Sequence, residues 1–238
     1  IDQRVPGVDI HTRVLVGQRH RRRCTISAMP VIDVVVPARD HAASLPSVLR
    51  ELPSRIVRSV VVVDRASKDR TAELARDAGA LVLREPGGGY GAACLRAQAH
   101  FQSLPRVPDI LVFVPGDRPA AAAIVDELVE PIGARGVELV LGVETGKRKL
   151  REKAAIGLMA SVYRHRWSGV GSVRALRFPA LVALGMRDRG DGWDVEMLVR
   201  AVKLGLTCEE LPLPADAHGG NKVGSRALLH ILRHATMR

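Results

Sequence analysis

The sequence predicts an α/β fold, a mostly parallel central sheet with helices on both faces. Three observations carry this expectation. Short β-rich runs alternate with helical stretches, the rhythm of successive βαβ units. The central runs are apolar throughout rather than alternating, as strands covered on both faces are. Finally, 47% of the 238 residues are hydrophobic but only 3% aromatic, so the core must be packed Val, Leu, Ile and Ala.

Taken in order, Val31 to Val36 reads as the first strand, closed by Pro37. Ser44-Leu45-Pro46 places a cap and a first-turn proline ahead of a helix to Leu52. Ser59 to Val63 is a second strand ending at Asp64, and Ser67 is a candidate cap for the next helix, which Gly79 ends. Leu81 to Arg84 is a third strand, followed by the glycine loop 87–91 and an alanine-rich helix to Gln102. The run Ile110-Leu111-Val112-Phe113-Val114 is the central strand, stopped by Pro115 and Gly116, with a helix over Ala120 to Ile132 behind it. Glu138 to Val143 is a fifth strand, and a basic loop follows from Thr145 to Lys153. A helix then spans Ala154 to Trp167, a short strand Val173 to Leu176, and a helix Pro179 to Leu184. A further helix opens at Asp191 and runs to Lys203, and Thr207 to Leu213 is the last strand, ahead of a basic C-terminal helix.

The formal net charge of +11 calls for an anionic partner. Part of it lies in residues 1–28, where six arginines face two aspartates. That segment reads as a basic N-terminal extension outside the core, and 29–238 as one domain. Cys24, Cys94 and Cys208 share no metal or redox spacing, which points to free thiols in a reducing, cytoplasmic compartment. No apolar run approaches the roughly 18 residues of a membrane span. Nucleic acid is a poor candidate partner, because no stacking aromatics accompany the charge.

Asp64 and Asp117 both fall at the carboxyl ends of strands, where open α/β sheets place their ligands. A carboxylate there can hold a metal ion against a diphosphate, or it can cap the following helix. Position alone supports both readings.

Four stretches resemble, in order and spacing, the family 2 glycosyltransferases, and among them the polyprenyl-phosphate sugar synthases such as the dolichol-phosphate mannosyltransferases. They are Val34-Val35-Val36-Pro37-Ala38, Val61 through Asp64-Arg65-Ala66-Ser67 to Asp69, Gly89-Tyr90-Gly91-Ala92-Ala93, and Gly185 through Gly192-Trp193-Asp194-Val195-Glu196-Met197. Together they cover about residues 31–225. The resemblance implies the GT-A fold, a Rossmann-like first half binding a sugar nucleotide, and transfer with inversion from a nucleoside-diphosphate sugar. The acceptor it implies is a polyprenyl phosphate, and the cofactor Mg2+ or Mn2+.

Carried over residue by residue, the resemblance puts Pro37, Ala38, Asp64, Arg65, Gly89, Gly91, Gly116 and Asp117 at the sugar nucleotide, with Asp117 also the metal ligand. Asp117, Asp194 and Glu196 become the catalytic carboxylates, although acidic residues at a helix start also suit its dipole. Arg174, Lys222 and Arg148 become contacts to an acceptor phosphate. The basic loop and C-terminal helix would then touch a lipid phosphate at the inner face of a membrane, or merely face water.

Departures from the family pattern concentrate at the site. Asp64-Arg65-Ala66-Ser67 stands for Asp-Asp-Gly-Ser, Pro115-Gly116-Asp117 for Asp-x-Asp, and Asp40-His41 for Asn-Glu. An acceptor-side Asp aligns with Gly169. The reading adopted is a working glycosyltransferase with an altered metal site. The alternative is a catalytically impaired homologue that binds a nucleotide or a partner.

Overall fold

The computed structural model describes residues 29–87, 89–144, 150–171 and 173–213. Residues 1–28, Lys147 to Lys149 of the basic loop, Lys222 and the C-terminal helix expected beyond it lie outside them, as does the side chain of Arg151.

Seven strands of the described residues form one sheet: β1 (Ile32–Ala38), β2 (Val57–Asp64), β3 (Leu81–Arg84), β4 (Ile110–Phe113), β5 (Leu139–Glu144), β6 (Val173–Arg177) and β7 (Cys208–Leu213). Their order is β3-β2-β1-β4-β6-β5-β7. β6 alone runs antiparallel, to β4 on one side and β5 on the other. The helices are α1 (Leu45–Glu51), α2 (Thr71–Asp77), α3 (Tyr90–Gln102), α4 (Pro119–Ala123), α5 (Val125–Arg135), α6 (Leu150–Tyr163), α7 (Phe178–Leu184) and α8 (Trp193–Leu204).

Side chains leave a strand alternately to its two faces, and the core divides accordingly. Val35, Val61, Val63, Leu111, Phe113, Leu139 and Leu141 pack with α3, α6, α7 and α8. Their neighbours Val34, Val36, Val62, Ile110, Val112 and Val140 pack with α1, α4 and α5. This two-sided burial is why the strands read as unbroken apolar runs.

Several expected boundaries move. β1 continues through Pro37 to Ala38 rather than stopping at Val36. The Val35 carbonyl accepts from Val114 toward β4, and the Ala38 carbonyl accepts from Arg65 toward β2. Pro37 therefore turns its missing N–H to the β4 side, where pairing has already ended at Phe113. α2 begins at Thr71, because the Ser67 hydroxyl accepts from the Asp40 N–H instead of capping a helix. The helix expected over 120–132 breaks at Ile124 into α4 and α5, and both halves still bury their apolar faces in one core. α6 starts four residues early, taking in part of the basic loop, and ends before Arg164, whose φ of 52° leaves the helical region.

At the amino end of β1, Asp33 is fully buried and accepts from Arg58 Nε at 3.0 Å, from Arg58 Nη2 and from the Ser59 hydroxyl at 2.8 Å. Asp33→Ala should cost about 2–3 kcal/mol, since three charge-assisted or polar bonds go while Arg58 can still reach water. Urea unfolding should show the loss at an unchanged m-value, with ligand binding at the opposite edge unaffected.

Candidate active site

The carboxyl ends of β1, β2, β4 and β5 bring Ala38, Asp64, Asp117 and Glu144 to one edge of the sheet. Because β6 runs the other way, its beginning arrives at the same edge, with Arg174 opposite Phe113 and Leu141.

Loops 39–44 and 64–71 interlock there through side chains bonded to main chain. Asp40 accepts from the Lys68 N–H at 2.7 Å, Asp69 from Ala42 at 2.9 Å and Thr71 from His41 at 2.8 Å. Hydrogen bonds from the Thr71 hydroxyl and the Ala42 N–H hold the Asp69 carboxyl below its ordinary range. Asp64 is 5% exposed and accepts from Ser67 N–H at 3.1 Å, which fixes a turn through Ala66 at a φ of 57°. No ion pair joins Asp64 to Arg65 among the described residues, and Arg65 Nε is buried without a hydrogen-bond partner there.

The glycine loop is tight for a reason the sequence did not show. A Cβ on Gly91 would meet the Asp188 carbonyl at 2.2 Å, and one on Gly89 the Gly190 Cα at 2.7 Å. Gly91 and Ala92 also donate to the carbonyls of Gly190 and Arg189, so segment 188–190 occupies the start of α3. That segment is held by Glu196, which accepts from the N–H groups of Arg187 and Asp188 and from Arg200 Nε at 2.8 Å. Gly116 likewise packs against His41, with a Cβ position 2.7 Å from its Nδ1, and its carbonyl accepts from the Ser44 hydroxyl.

Beneath the edge lies a buried polar cluster. Arg174 is 0% exposed, donates to the Gly171 carbonyl at 2.6 Å and lies 5.4 Å from the Trp193 ring centre. Its Nη2 stands 2.8 Å from Asp194 Oδ1, a charge contact off the hydrogen-bond axis. Asp194 is 16% exposed. Burial pushes its carboxyl up to about 6, against the opposing pull of Arg174. Tyr90 and Phe113 pack on Trp193, and burial raises both the Tyr90 hydroxyl and the Cys94 thiol.

Asp117 is the outermost of these carboxylates, with 49% of its side chain exposed. Beside it Arg118 is 7% exposed; its Nη1 donates to Glu144 Oε1 at 2.7 Å and its Nε lies 3.8 Å from Asp117 Oδ1. Among the described residues no group of three or more His, Cys, Asp or Glu could hold a metal by itself.

No protein-family model matches the chain. An uncharacterized glycosyltransferase of Mycobacterium bovis is 31% identical over 199 residues, covering 80% of this chain and 88% of that protein. The chain belongs to the glycosyltransferases. Glycosyltransferase AglJ of Haloferax volcanii is 26% identical over 197 residues, 77% of this chain and 63% of AglJ. The fold is shared with glucosyl-3-phosphoglycerate synthase from Mycobacterium tuberculosis. Its complex with phosphoglyceric acid superposes with a TM-score of 0.75 at 23% identity, covering 88% of this chain and 81% of that one. A complex with Mn2+, uridine diphosphate and glucosyl-3-phosphoglycerate gives 0.75 at 22%, covering 94% and 89%. The fold of this glycosyltransferase is thus the GT-A fold, and no described helix is long and apolar enough to cross a membrane. A polyprenyl-phosphate acceptor finds no support in these likenesses.

Of the residues singled out in the sequence, Pro37, Ala38, Asp64, Arg65, Gly116 and Asp117 gather at the carboxyl edge, with Asp194 below them. Two do not sit as expected. Arg174 is sealed in the core and cannot meet an acceptor phosphate in this conformation, because Asp194 and Gly171 hold it. Glu196 is buried and engaged by the Arg187 and Asp188 N–H groups and by Arg200, which makes it a brace for segment 187–190 rather than a group at the reacting atoms. Gly89 and Gly91 have a packing reason of their own. Arg148 and Lys222 lie outside the described residues. Gly169, at the place of the family's acceptor-side Asp, has no room for one: a Cβ there would stand 2.5 Å from Val143 Cγ1. Sequence reasoning missed Arg118 and Glu144; the signal for the first was an arginine directly after Asp117.

Gly91→Ala should lower stability by about 1–3 kcal/mol as segment 188–190 is forced off α3. Gly133→Ala, whose Cβ would meet nothing within 4 Å inside α5, should be neutral or stabilising by up to about 1 kcal/mol. Thermal unfolding of the pair checks the contact, and equal melting temperatures would refute it.

Proposed function

We propose that this glycosyltransferase takes its sugar from a nucleoside-diphosphate sugar lying along the carboxyl edge and passes it to a hydroxyl of an anionic acceptor. The observation that carries the reading is a row of three carboxylates in three different environments. Asp64, buried and fixed by its turn, suits the polar edge of the nucleoside, with Arg65 adding positive charge beside it. Pro37, Ala38 and Gly116 supply the close-packed main chain around it. Asp117, half exposed, suits the diphosphate end.

Mg2+ and Mn2+ bind such substrates through one or two carboxylates plus phosphate oxygens, so Asp117 and the donor's own diphosphate fit an ion of this kind. When bound, the ion supplies Lewis-acid stabilisation of the leaving diphosphate. Mycobacterial glucosyl-3-phosphoglycerate synthase, which shares the fold, was solved with Mn2+ and uridine diphosphate.

Asp194 suits the acceptor side. A carboxyl pushed up to about 6 is ionised at neutral pH yet basic enough to take a proton in the transition state. It would receive the acceptor hydroxyl's proton as that oxygen attacks the anomeric carbon opposite the diphosphate, which inverts the configuration. Arg174 is a positioning residue here, holding the carboxylate from below. The charge of +11 favours an anionic acceptor, and small phosphorylated hydroxy acids are the first to assay. A phosphomonoester acceptor such as a polyprenyl phosphate would need no base, being ionised near neutral pH.

Calorimetry with uridine and guanosine diphosphates, with and without Mn2+, tests the donor site. Asp117→Asn should remove most of the gain from Mn2+, and Asp64→Asn should weaken binding with or without the ion. Absence of binding by either nucleotide at millimolar concentration would end the reading. In kinetics the base must be deprotonated, so kcat/KM should rise with pH through about 6 and level off above it. Asp194→Asn should lower kcat by about 100-fold or more and abolish that limb. Transfer indifferent to Asp194→Asn would instead favour a phosphate acceptor.

A further inference from the structure

Arg118 has no part in the donor-site reading, yet it occupies the most telling place at the edge. Its guanidinium lies between the carboxylates that follow β4 and end β5, with Nη1 2.7 Å from Glu144 Oε1 and Nε 3.8 Å from Asp117 Oδ1. Two carboxylates so placed would otherwise attract a divalent cation and repel a diphosphate. We propose that Arg118 is a resident cation of the diphosphate site, which lessens the chain's own hold on a metal ion and supplies part of the positive charge a diphosphate needs.

The physical argument has three steps. A guanidinium exposed by only 7% is poorly screened by solvent, so its charge is felt by a diphosphate at the rim. Its one positive charge against Asp117 and Glu144 halves their net negative charge and so weakens the pull on a metal before substrate. The short bond to Glu144 anchors it, while the long contact to Asp117 is the one that phosphate oxygens can replace, and guanidinium pairs well with phosphate. The consequence is a donor site with real diphosphate affinity when no divalent ion is present.

The inference rests on the donor-site reading, and one set of titrations separates the two. Uridine diphosphate is titrated calorimetrically into the wild type, Arg118→Gln and Arg118→Lys, each with Mn2+ and with EDTA; Mn2+ alone is titrated into all three. The wild type should bind in EDTA, weaker than with Mn2+ by no more than about tenfold. Arg118→Gln should lose about tenfold or more of the EDTA affinity, keep binding with Mn2+, and bind Mn2+ alone more tightly. Arg118→Lys should restore much of the EDTA affinity. Glu144→Gln takes away a negative partner and leaves the cation, so it should strengthen binding in EDTA, and it gives a result even if Arg118→Gln fails to fold. If the wild type binds nothing under either condition, the donor-site reading fails. If it binds only with Mn2+, or if both Arg118→Gln and Glu144→Gln leave the ratio of the two affinities unchanged, the donor site stands and the resident cation is wrong.

Discussion

A guanidinium with no exposed surface sits in the larger of the two cores, and the site is arranged around its neutralisation. β6 runs against its neighbours, so its first residues arrive where the parallel strands finish, and Arg174 comes with them. Taking a cation out of water costs several kcal/mol unless partners surround it. Here they are the Asp194 carboxylate, the Gly171 carbonyl and the face of Trp193. Asp194 is equally bound to the arrangement, because removing one member of a buried pair leaves the other charge stranded. The carboxylate best placed to serve as a base is thus also part of what holds the sheet edge together. Its proton affinity reflects that double use, since burial raises it and the arginine limits the rise.

Most other acidic residues around the edge are already engaged with main chain. Asp40 accepts from Lys68, Asp64 from Ser67, Asp69 from Ala42 and Thr71, Asp188 from Gly190, and Glu196 from Arg187 and Asp188. Such bonds order loops that carry little apolar surface of their own. Asp117 and Asp194 differ from this group. Their neighbours are guanidiniums rather than backbone N–H groups; at the rim the Arg118 guanidinium can exchange one anion for another without unfolding a loop, whereas Arg174 is sealed in with Asp194. That contrast, more than position at a strand end, separates the candidates for chemistry from the carboxylates that hold the fold.

The strands were legible in the sequence because two-sided burial writes itself as unbroken apolar runs, and Asp64 and Asp117 were legible because those runs stop at them. Long-range pairing was not. Arg118 finds Glu144 26 residues away, and Arg174 meets Asp194 across the crossover from β6 to α8, distances that no local pattern encodes. The glycine loop announced a tight place without saying what it was tight against, since segment 188–190 lies a hundred residues on. The start of α2 was misread for a related reason. Ser67 has the chemistry of a cap, but its hydroxyl is taken by a loop from β1, a tertiary contact that overrides local preference.

Two departures from the pattern that the resemblance implies, at Pro115 and Arg65, share one electrostatic direction with Arg118. By that resemblance Pro115 stands where the pattern has a carboxylate and Arg65 where it has another, and Arg118 sets a cation against Asp117. On the proposed donor site, Pro115 and Arg118 make the diphosphate end more positive, and Arg65 does so beside the nucleoside. Random decay of a metal site has no reason to favour that sign, and loss of carboxylates alone would leave the diphosphate with fewer partners of any kind. A site that lowers its own negative charge while gaining guanidiniums instead moves the burden of neutralising the diphosphate from the metal toward the protein. Weak metal coordination and retained glycosyl transfer are compatible on that footing, because the charge that stabilises a leaving diphosphate can come from a fixed arginine as well as from an ion.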